Sequence, residues 1–431
     1  MVHRRVFLMA PLGWLAGKAR AAEQKTVLVI GAGISGLAAA QKLKSEGVRV
    51  MVLEARDRIG GRIHTDTSLG MPLDLGASWI HGSEGNPMDK LARQLKVKTV
   101  PTDYDDLELY PEDLQMPSES QVQNWLNRAT TYAESQSKDL SLEQALKQVG
   151  VGLDTRGQRY AFNSTVEHEF AADLSELSGR HWNTSGDLSG PDLLFPGGYS
   201  QILRPYQGLD VRLGQQVKRI EQDARQVRVV TQKQTFQADH VLVTVPLGVL
   251  KARKIEFVPA LPQLQQQAIG RLGMGLLNKT VLVFPEVFWD ESLLLGHADT
   301  QPGRWAEWLN LERLLQKPVL LGFNAGSYAR KLEGWSDQRI VEDALQVLSQ
   351  RYGPVPRPLK FKITRWGQDP HSLGSYSFYP THSSPEDREN LGQPFKKLFF
   401  AGEATSLDHP STVHGAYVSG LRVADELLEN L

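Results

Sequence analysis

Cysteine is absent from all 431 positions, so disulfides, thiolate metal centres, cysteine nucleophiles and any prosthetic group tethered through a cysteine sulfur are excluded. Equally missing is an excess of charge of one sign: Lys plus Arg number 48 against 49 for Asp plus Glu, with no basic run to meet a polyanion. Nucleic acid is therefore not an expected partner, and no metal centre is expected either. No apolar run approaches the ~20 residues that span a bilayer, which argues against stable membrane insertion. What remains is an ordinary globular composition, 41% hydrophobic, in a chain too long for one core. Single cores stop growing at roughly 250–300 residues, so two domains are expected.

Arg4 and Arg5 precede an apolar stretch at 6–16 that Pro11 and Gly13 interrupt, and Ala19-Arg20-Ala21 supplies a small-x-small end. This pattern predicts a twin-arginine export signal over 1–22, and delivery of the folded protein to an extracytoplasmic space. After it, residues 26–30 read as a buried strand, 35–46 as a helix with Leu37, Ala40 and Leu43 inward and Gly47 closing it, and 48–53 as a second strand. The result is a βαβ unit. Residues 87–180 turn polar and mainly helical, with Ser141 a candidate cap. A Pro/Gly break at 195–198 precedes alternating stretches at 211–221, 225–230 and 240–245. Helical periodicity returns at 261–272 and 337–352, 360–365 alternates, and 398–401 with 413–428 reads as strand, turn, helix.

Within VLVIGAGISGL, Gly31, Gly33 and Gly36 form GxGxxG between the predicted strand and helix, and Glu54 ends the next strand. Gly31 permits the tight turn, Gly33 lets a pyrophosphate approach the backbone, and Gly36 lets helix and strand pack closely. Ile34 and Ser35 open the helix, whose N-terminus carries about half a positive charge and unpaired N–H groups. Glu54 is placed to accept from a ribose 2′-hydroxyl. Strand, helix and acidic residue in register predict a dinucleotide site.

The segment after Glu54, EARDRIGGRIHT, resembles the one that continues the diphosphate cradle in flavin-containing amine oxidases, and so favours FAD over NAD. Further segments resemble the same family, which includes polyamine oxidases, monoamine oxidases and related histone lysine demethylases. They are GASWIHG at 76–82, FPGGYS at 195–200, LNKTVLVFPEVFWD at 277–290, TRWGQDPHSLGSYS at 364–377 and FFAGEATSLDHPSTVHGAYVSGLRVA at 399–424. The resemblance implies an α/β fold with two-domain amine oxidase architecture. A Rossmann-like FAD-binding domain (23–80, 196–275 and 385–431) would interleave with a mixed α+β substrate-binding domain (81–195 and 276–384).

Carried over by position, the resemblance places Glu54, Arg56, Gly61 and Arg62 at the adenosine and diphosphate side of a non-covalent FAD. Ser78, Trp79 and Trp366 would lie along the flavin, and Val217 would meet the adenine. Gly402 and Glu403 of the AGE turn would bind the ribityl or diphosphate portion. Thr412 and Val413 would begin a helix aimed at the pyrimidine oxygen, where positive potential favours an anionic reduced ring. Lys279 matches the lysine that holds a water against flavin N5. Tyr376 and Trp366 match aromatic positions flanking the active site; Thr412 stands where monoamine oxidases carry tyrosine, which implies a wider pocket.

His81 resembles the substrate-facing histidine of polyamine oxidases. Asp103, Asp105, Asp106 and Glu108 are candidates to attract distal ammonium groups, with Glu167, Glu169 and Asp173 as weaker ones. The expected partners are a small-molecule amine and O2. An L-amino-acid oxidase is the alternative and would need an arginine for the substrate carboxylate, Arg180 or Arg365. A non-catalytic flavin carrier ranks lower. A histone demethylase is disfavoured because 82–195 holds no long coiled-coil insertion.

Overall fold

The computed structural model describes residues 25–431; the export signal expected at 1–22 lies outside the described residues. A five-stranded parallel sheet runs Leu398–Phe400, His240–Val243, Thr26–Ile30, Arg49–Leu53, Val211–Arg212. Thr26–Ile30 sits at its centre, and Val27 to Ile30 are buried on both faces of the sheet, which explains an apolar run without polar alternation. The helix Ile34–Ser45 follows. It packs between this sheet and the helix Val413–Asn430, so its first seven residues are all buried rather than one stripe.

Close approach of these two helices depends on Gly420. A Cβ there would fall 2.1 Å from the Ser35 carbonyl oxygen, a backbone atom that has nowhere to go. The side chains that meet at the same crossing, Ser35 and Ser419, lie 3.3 Å apart at Oγ, and Ser419 Oγ also accepts the Gly402 N–H at 2.9 Å. One contact thus ties three parts of the dinucleotide region together.

The stretch 211–221 was expected as one strand and is two. Gly214 takes a positive φ of 64° and the Gln215 N–H donates to the Glu54 carbonyl, so the chain turns between sheets. Val211–Arg212 joins the parallel sheet, whereas Val217–Gln222 enters a four-stranded sheet with Val227–Thr231, Thr235–Ala238 and Glu256–Val258.

A six-stranded sheet forms the other half. Its order is Lys360–Ile363, Leu277–Val283, Val319–Ala325, Glu307–Asn310, Leu294–His297, Leu107–Tyr110. All pairings are antiparallel except the last. Most of these strands were not anticipated. Val319–Ala325 is buried throughout and carries Gly322, against which Trp305 and Trp308 stack, so it shows neither alternation nor strong β-propensity. Over 87–180 the helices Pro87–Gln94, Glu119–Ser135, Leu142–Gln148 and Arg156–Phe162 begin at Asn86, Ser118, Ser141 and Thr155, each accepting a backbone N–H. Among the described residues no helix is long and apolar enough to cross a membrane.

Gly420→Val is expected to lower stability by roughly 1–3 kcal/mol through overpacking, seen as a lower thermal midpoint. Gly208→Ala, with nothing within 4 Å of the added carbon, should leave the midpoint in place. Equal midpoints for the two variants would contradict this reading of the crossing.

Candidate functional site

The dinucleotide cleft opens where the first strand ends. It is lined by Gly31, Gly33, Glu54, Arg56, Gly61, Arg62, Val217 and, among others, Thr244 and Pro246. Gly31 has φ 109° and a Cβ on it would strike the Thr244 hydroxyl at 2.7 Å. A Cβ on Gly33 would enter open space, and one on Gly61 would lie 3.4 Å from Gly33 Cα, so the backbone is bare on both sides of the floor. Ile34 and Ser35 open the helix above it, with no acidic residue in that first turn to compete for a diphosphate. Glu54 is 6% exposed, and its two oxygens accept the Ala32 and Arg56 N–H groups at 2.7 and 2.8 Å. Those bonds fix the carboxylate at the strand end, each oxygen keeping a lone pair for a ribose. The donor set fits a dinucleotide.

Farther along, positive and negative groups interlock. Arg56 forms a bidentate pair with Asp369 at 2.8 and 2.7 Å, so its guanidinium is oriented as it lines the cleft. Arg62 Nη1 donates to the Ser375 carbonyl and to Glu403 Oε1 at 2.9 Å. Burial by itself would raise the Glu403 carboxyl, but Arg62, Arg388 and the Ser377 hydroxyl hold it below its ordinary value. Gly402, at φ 134°, makes the turn that aims Glu403 inward. Thr412 caps the helix that Val413 begins, accepting the Gly415 N–H and donating to the His409 carbonyl, both at 2.9 Å. Its hydroxyl is therefore committed to the cap, and what it offers the site is the helix terminus.

Lys279 stands on the strand Leu277–Val283 and is 3% exposed. Its ammonium donates to the Asp74 carbonyl at 3.0 Å, the Gly76 carbonyl at 2.6 Å and Ser78 Oγ at 2.5 Å. Trp79 and Phe323 each place a ring centroid 5.8 Å from Nζ. Burial lowers the Lys279 pKa to about 8, and the Asp74 carboxylate opposes that fall. Asp74 is itself pushed up to about 6 by burial, although Thr65, Lys279 and the Tyr199 N–H favour its charged form.

Strand register builds a row on this face. Lys279 is directly opposite Phe323, and Phe323 opposite Glu307, so the three side chains project from one side of the sheet. Tyr376 reaches the same region, its hydroxyl donating to the His168 carbonyl at 2.7 Å. Trp366 is buried, with Nε1 donating to the Leu75 carbonyl at 3.1 Å, and wedges behind Gly76. His81 stands at a more exposed position, its Nδ1 2.8 Å from Asp192, and Tyr104 donates to the same carboxylate oxygen at 2.8 Å. Withdrawal from water opposes the imidazolium, but Asp192, Glu169 and Asp187 outweigh it and raise the His81 pKa.

Other acidic candidates are engaged elsewhere. Asp106 pairs with Arg313 and Glu108 with Arg351, while Asp103 accepts the Asp105 N–H. Glu167 accepts from Asn163 and the Leu174 N–H, and Asp173 holds Ser327 and Arg330. Glu169 alone of that trio is exposed and close enough to bear on Tyr376 and His81. Arg180 is bound to the Ala133 and Gln136 carbonyls and Arg365 to Asp337 and the Trp335 carbonyl, which removes both arginines proposed for an amino-acid carboxylate. Sequence reading missed Thr244, Ser419, Phe323, Glu307, His168 and Asp192. Only the lone histidine within VEHEF offered any local signal.

A dinucleotide cleft, with a buried lysine held by the segment that follows Arg62, fits an FAD-dependent oxidoreductase. The model of the flavin containing amine oxidoreductase family matches residues 34–428. Polyamine oxidase 2 of Arabidopsis thaliana is 38% identical, over 95% of this chain and 89% of that protein, and Polyamine oxidase 4 of Oryza sativa subsp. japonica is 37% identical over 94% and 89%. Lysine-specific histone demethylase 1 homolog 2 of Arabidopsis thaliana is 36% identical over 94% of this chain and 58% of its own length. A solved putrescine oxidase double mutant shares the fold, with TM-score 0.78 at 22% identity, covering 94% of this chain and 99% of that one. The chain belongs to the flavin-containing amine oxidoreductase family and is a flavin-dependent amine oxidase with FAD as cofactor.

With its pKa near 8, Lys279 is mainly an ammonium at neutral pH and loses its proton above that value. The rate of flavin reduction or reoxidation is expected to inflect near pH 8, and the inflection to vanish in Lys279→Met while FAD stays bound. Stopped-flow measurement of both half-reactions checks this; unaltered rates in the variant would contradict it.

Proposed function

We propose that this enzyme oxidises a polyamine or another bulky primary or secondary amine at the carbon beside nitrogen, giving an imine that water hydrolyses to aldehyde and amine or ammonia. When bound, FAD supplies a hydride acceptor at N5 and returns the electrons to O2 as hydrogen peroxide. The observation that carries this reading is Lys279, buried between the Trp79 and Phe323 rings where the FAD cleft meets the six-stranded sheet. Its three N–H donors are taken by Asp74 O, Gly76 O and Ser78 Oγ, and turning one of them to a water when the cofactor is bound would hold that water beside the reacting atoms. Tyr376 and Trp79 supply apolar walls, and Ser78 orients the lysine. The FAD-binding unit is taken to comprise 23–80, 196–275 and 385–431, with the remainder of 81–384 shaping the substrate side.

Amine chemistry at such a site needs the neutral amine. An alkyl amine of pKa about 10.4 pays roughly 4 kcal/mol to deprotonate near pH 7.4, three units away. Aromatic, apolar surroundings lessen that cost by disfavouring the cation. No strong side-chain base is then required. Similarity to plant polyamine oxidases supports a polyamine, and the engagement of Arg180 and Arg365 elsewhere weighs against amino acids.

Peroxide release by the purified yellow protein, assayed against spermine, spermidine, putrescine, aromatic monoamines and L-amino acids, is expected to be greatest with a polyamine or diamine. Activity on amino acids alone would overturn the reading. Where chemistry limits, the rate should climb from pH 6 to 10 as bound amine deprotonates; a flat profile would contradict deprotonation as the gate.

A further inference from the structure

Arg388, on the helix Pro385–Gly392, is 1% exposed, and among the described residues no carboxylate pairs with it directly. A buried cation with no counter-ion in contact is costly, so its place needs a reason. Its Nη1 donates to Ser377 Oγ at 2.7 Å and to the Ala404 carbonyl at 3.3 Å. Nε has no acceptor, and the guanidinium instead lies over the Tyr379 ring, 4.4 Å from its centroid. Through one hydroxyl the cation does reach a carboxylate, since Ser377 Oγ lies 2.5 Å from Glu403 Oε2. An arginine only donates and an ionised carboxylate only accepts, so the Ser377 proton points at Glu403.

The two oxygens of Glu403 are then unequal. Oε2 takes the Ser377 hydroxyl, the Ser411 N–H at 3.2 Å and, at 3.4 Å, the Ser377 N–H, which together saturate it. Ser411 holds a left-handed φ of 66° while making that contact, a conformation that a non-glycine residue keeps only where its surroundings impose it. Oε1 takes only Arg62 Nη1, at 2.9 Å, and keeps a lone pair. Glu403 lines a hollow adjoining the dinucleotide cleft, and Arg62 and Thr244 line both. Chemistry narrows what Oε1 can receive there. A diphosphate brings no donor and its charge is repelled, while Glu54 is placed for the ribose. The next donors along FAD from the diphosphate are the hydroxyls of its ribityl chain.

We propose that Arg388 is a positioning residue for FAD: acting through the Ser377 hydroxyl, it fixes Glu403 as an oriented carboxylate whose Oε1 accepts from a ribityl hydroxyl. This role concerns the cofactor and is independent of which amine is oxidised. A hydroxyl that already accepts from a cation is a stronger donor to the carboxylate beyond it. Burial would push the Glu403 carboxyl up, and the charged groups that hold it down are Arg62 and Arg388, helped by the neutral Ser377 hydroxyl and the Ser411 N–H. Without Arg388, burial is opposed by Arg62 and neutral donors alone, and the carboxyl rises. A hydroxyl donated to Oε1 favours the ionised form, so FAD affinity is then lost as pH falls through the raised value.

The test follows flavin fluorescence as the FAD-loaded protein is diluted, at values from about pH 8 to about pH 5. Relative to wild type, the FAD dissociation constant of Arg388→Met should rise about tenfold or more at the upper end, and the gap should widen toward the lower end. Arg388→Lys should recover part of the affinity by restoring the charge. Ser377→Ala, which leaves the guanidinium in place but cuts the relay, should show the same pH-dependent loss. When Arg388→Met is added to Glu403→Gln, which has no group to titrate at 403, the widening should disappear. A loss equal at every pH, or one undiminished when Glu403 is replaced by glutamine, is that of a merely structural arginine and would overturn the proposal. Wild-type affinity in both Arg388→Met and Ser377→Ala would overturn it too. If Arg388→Met does not fold around FAD, Ser377→Ala decides alone: pH-dependent loss supports the relay, and wild-type binding refutes it.

Discussion

The most buried tie between the halves of this molecule is an ammonium. Lys279 comes from the antiparallel sheet, and its three acceptors, Asp74 O, Gly76 O and Ser78 Oγ, come from the segment that leads out of the dinucleotide cradle. Burying an unpaired cation costs several kcal/mol, so the lysine is tolerated only because each N–H donor has its acceptor. Strand register then dictates what else shares its face. Phe323 and Glu307 follow because they are cross-strand neighbours, and Trp79 follows because it is next to Ser78 in the chain.

Around that contact the charges are arranged so that each buried ion is either paired or waiting at the cleft. Glu403 is held ionised by Arg62 and Arg388, and Arg56 is clamped by Asp369. Rigid pairing orients the side chains that line the cleft before any cofactor arrives, which reduces the ordering cost of binding. The helix pair at Ser35, Ser419 and Gly420 does the same for the backbone N–H groups.

The dinucleotide half was legible in the sequence because its constraints are local. GxGxxG, Glu54 and the Gly47 stop lie within one βαβ unit, and Thr26–Ile30, Ile34–Ser45 and Arg49–Leu53 fall within a residue or so of the expected bounds. The half built on the six-stranded sheet was not, since its strands are set by tertiary packing: Val319–Ala325 holds Gly322 and Asn324 yet is wholly buried. The role of the acidic run at 103–108 stayed open because charge density in a sequence does not reveal whether arginines from 313 and 351 will meet it. Glu307 and His168, 139 residues apart, had no shared signal at all until the fold brought them into contact. Val211 and Glu221 were expected in one strand because hydrophobic alternation continues through Gly214, whose positive φ ends it.

The central claim is that the reactive edge of the isoalloxazine ring lies on the sheet face defined by Lys279, Trp79 and Phe323. A crystal structure of the FAD-loaded protein tests it most directly. The ring is expected over that face, with one Lys279 N–H turned from its protein acceptor to a single ordered water beside N5. A ring seated on any other surface, or a chain that remains colourless and takes up no FAD, would contradict it.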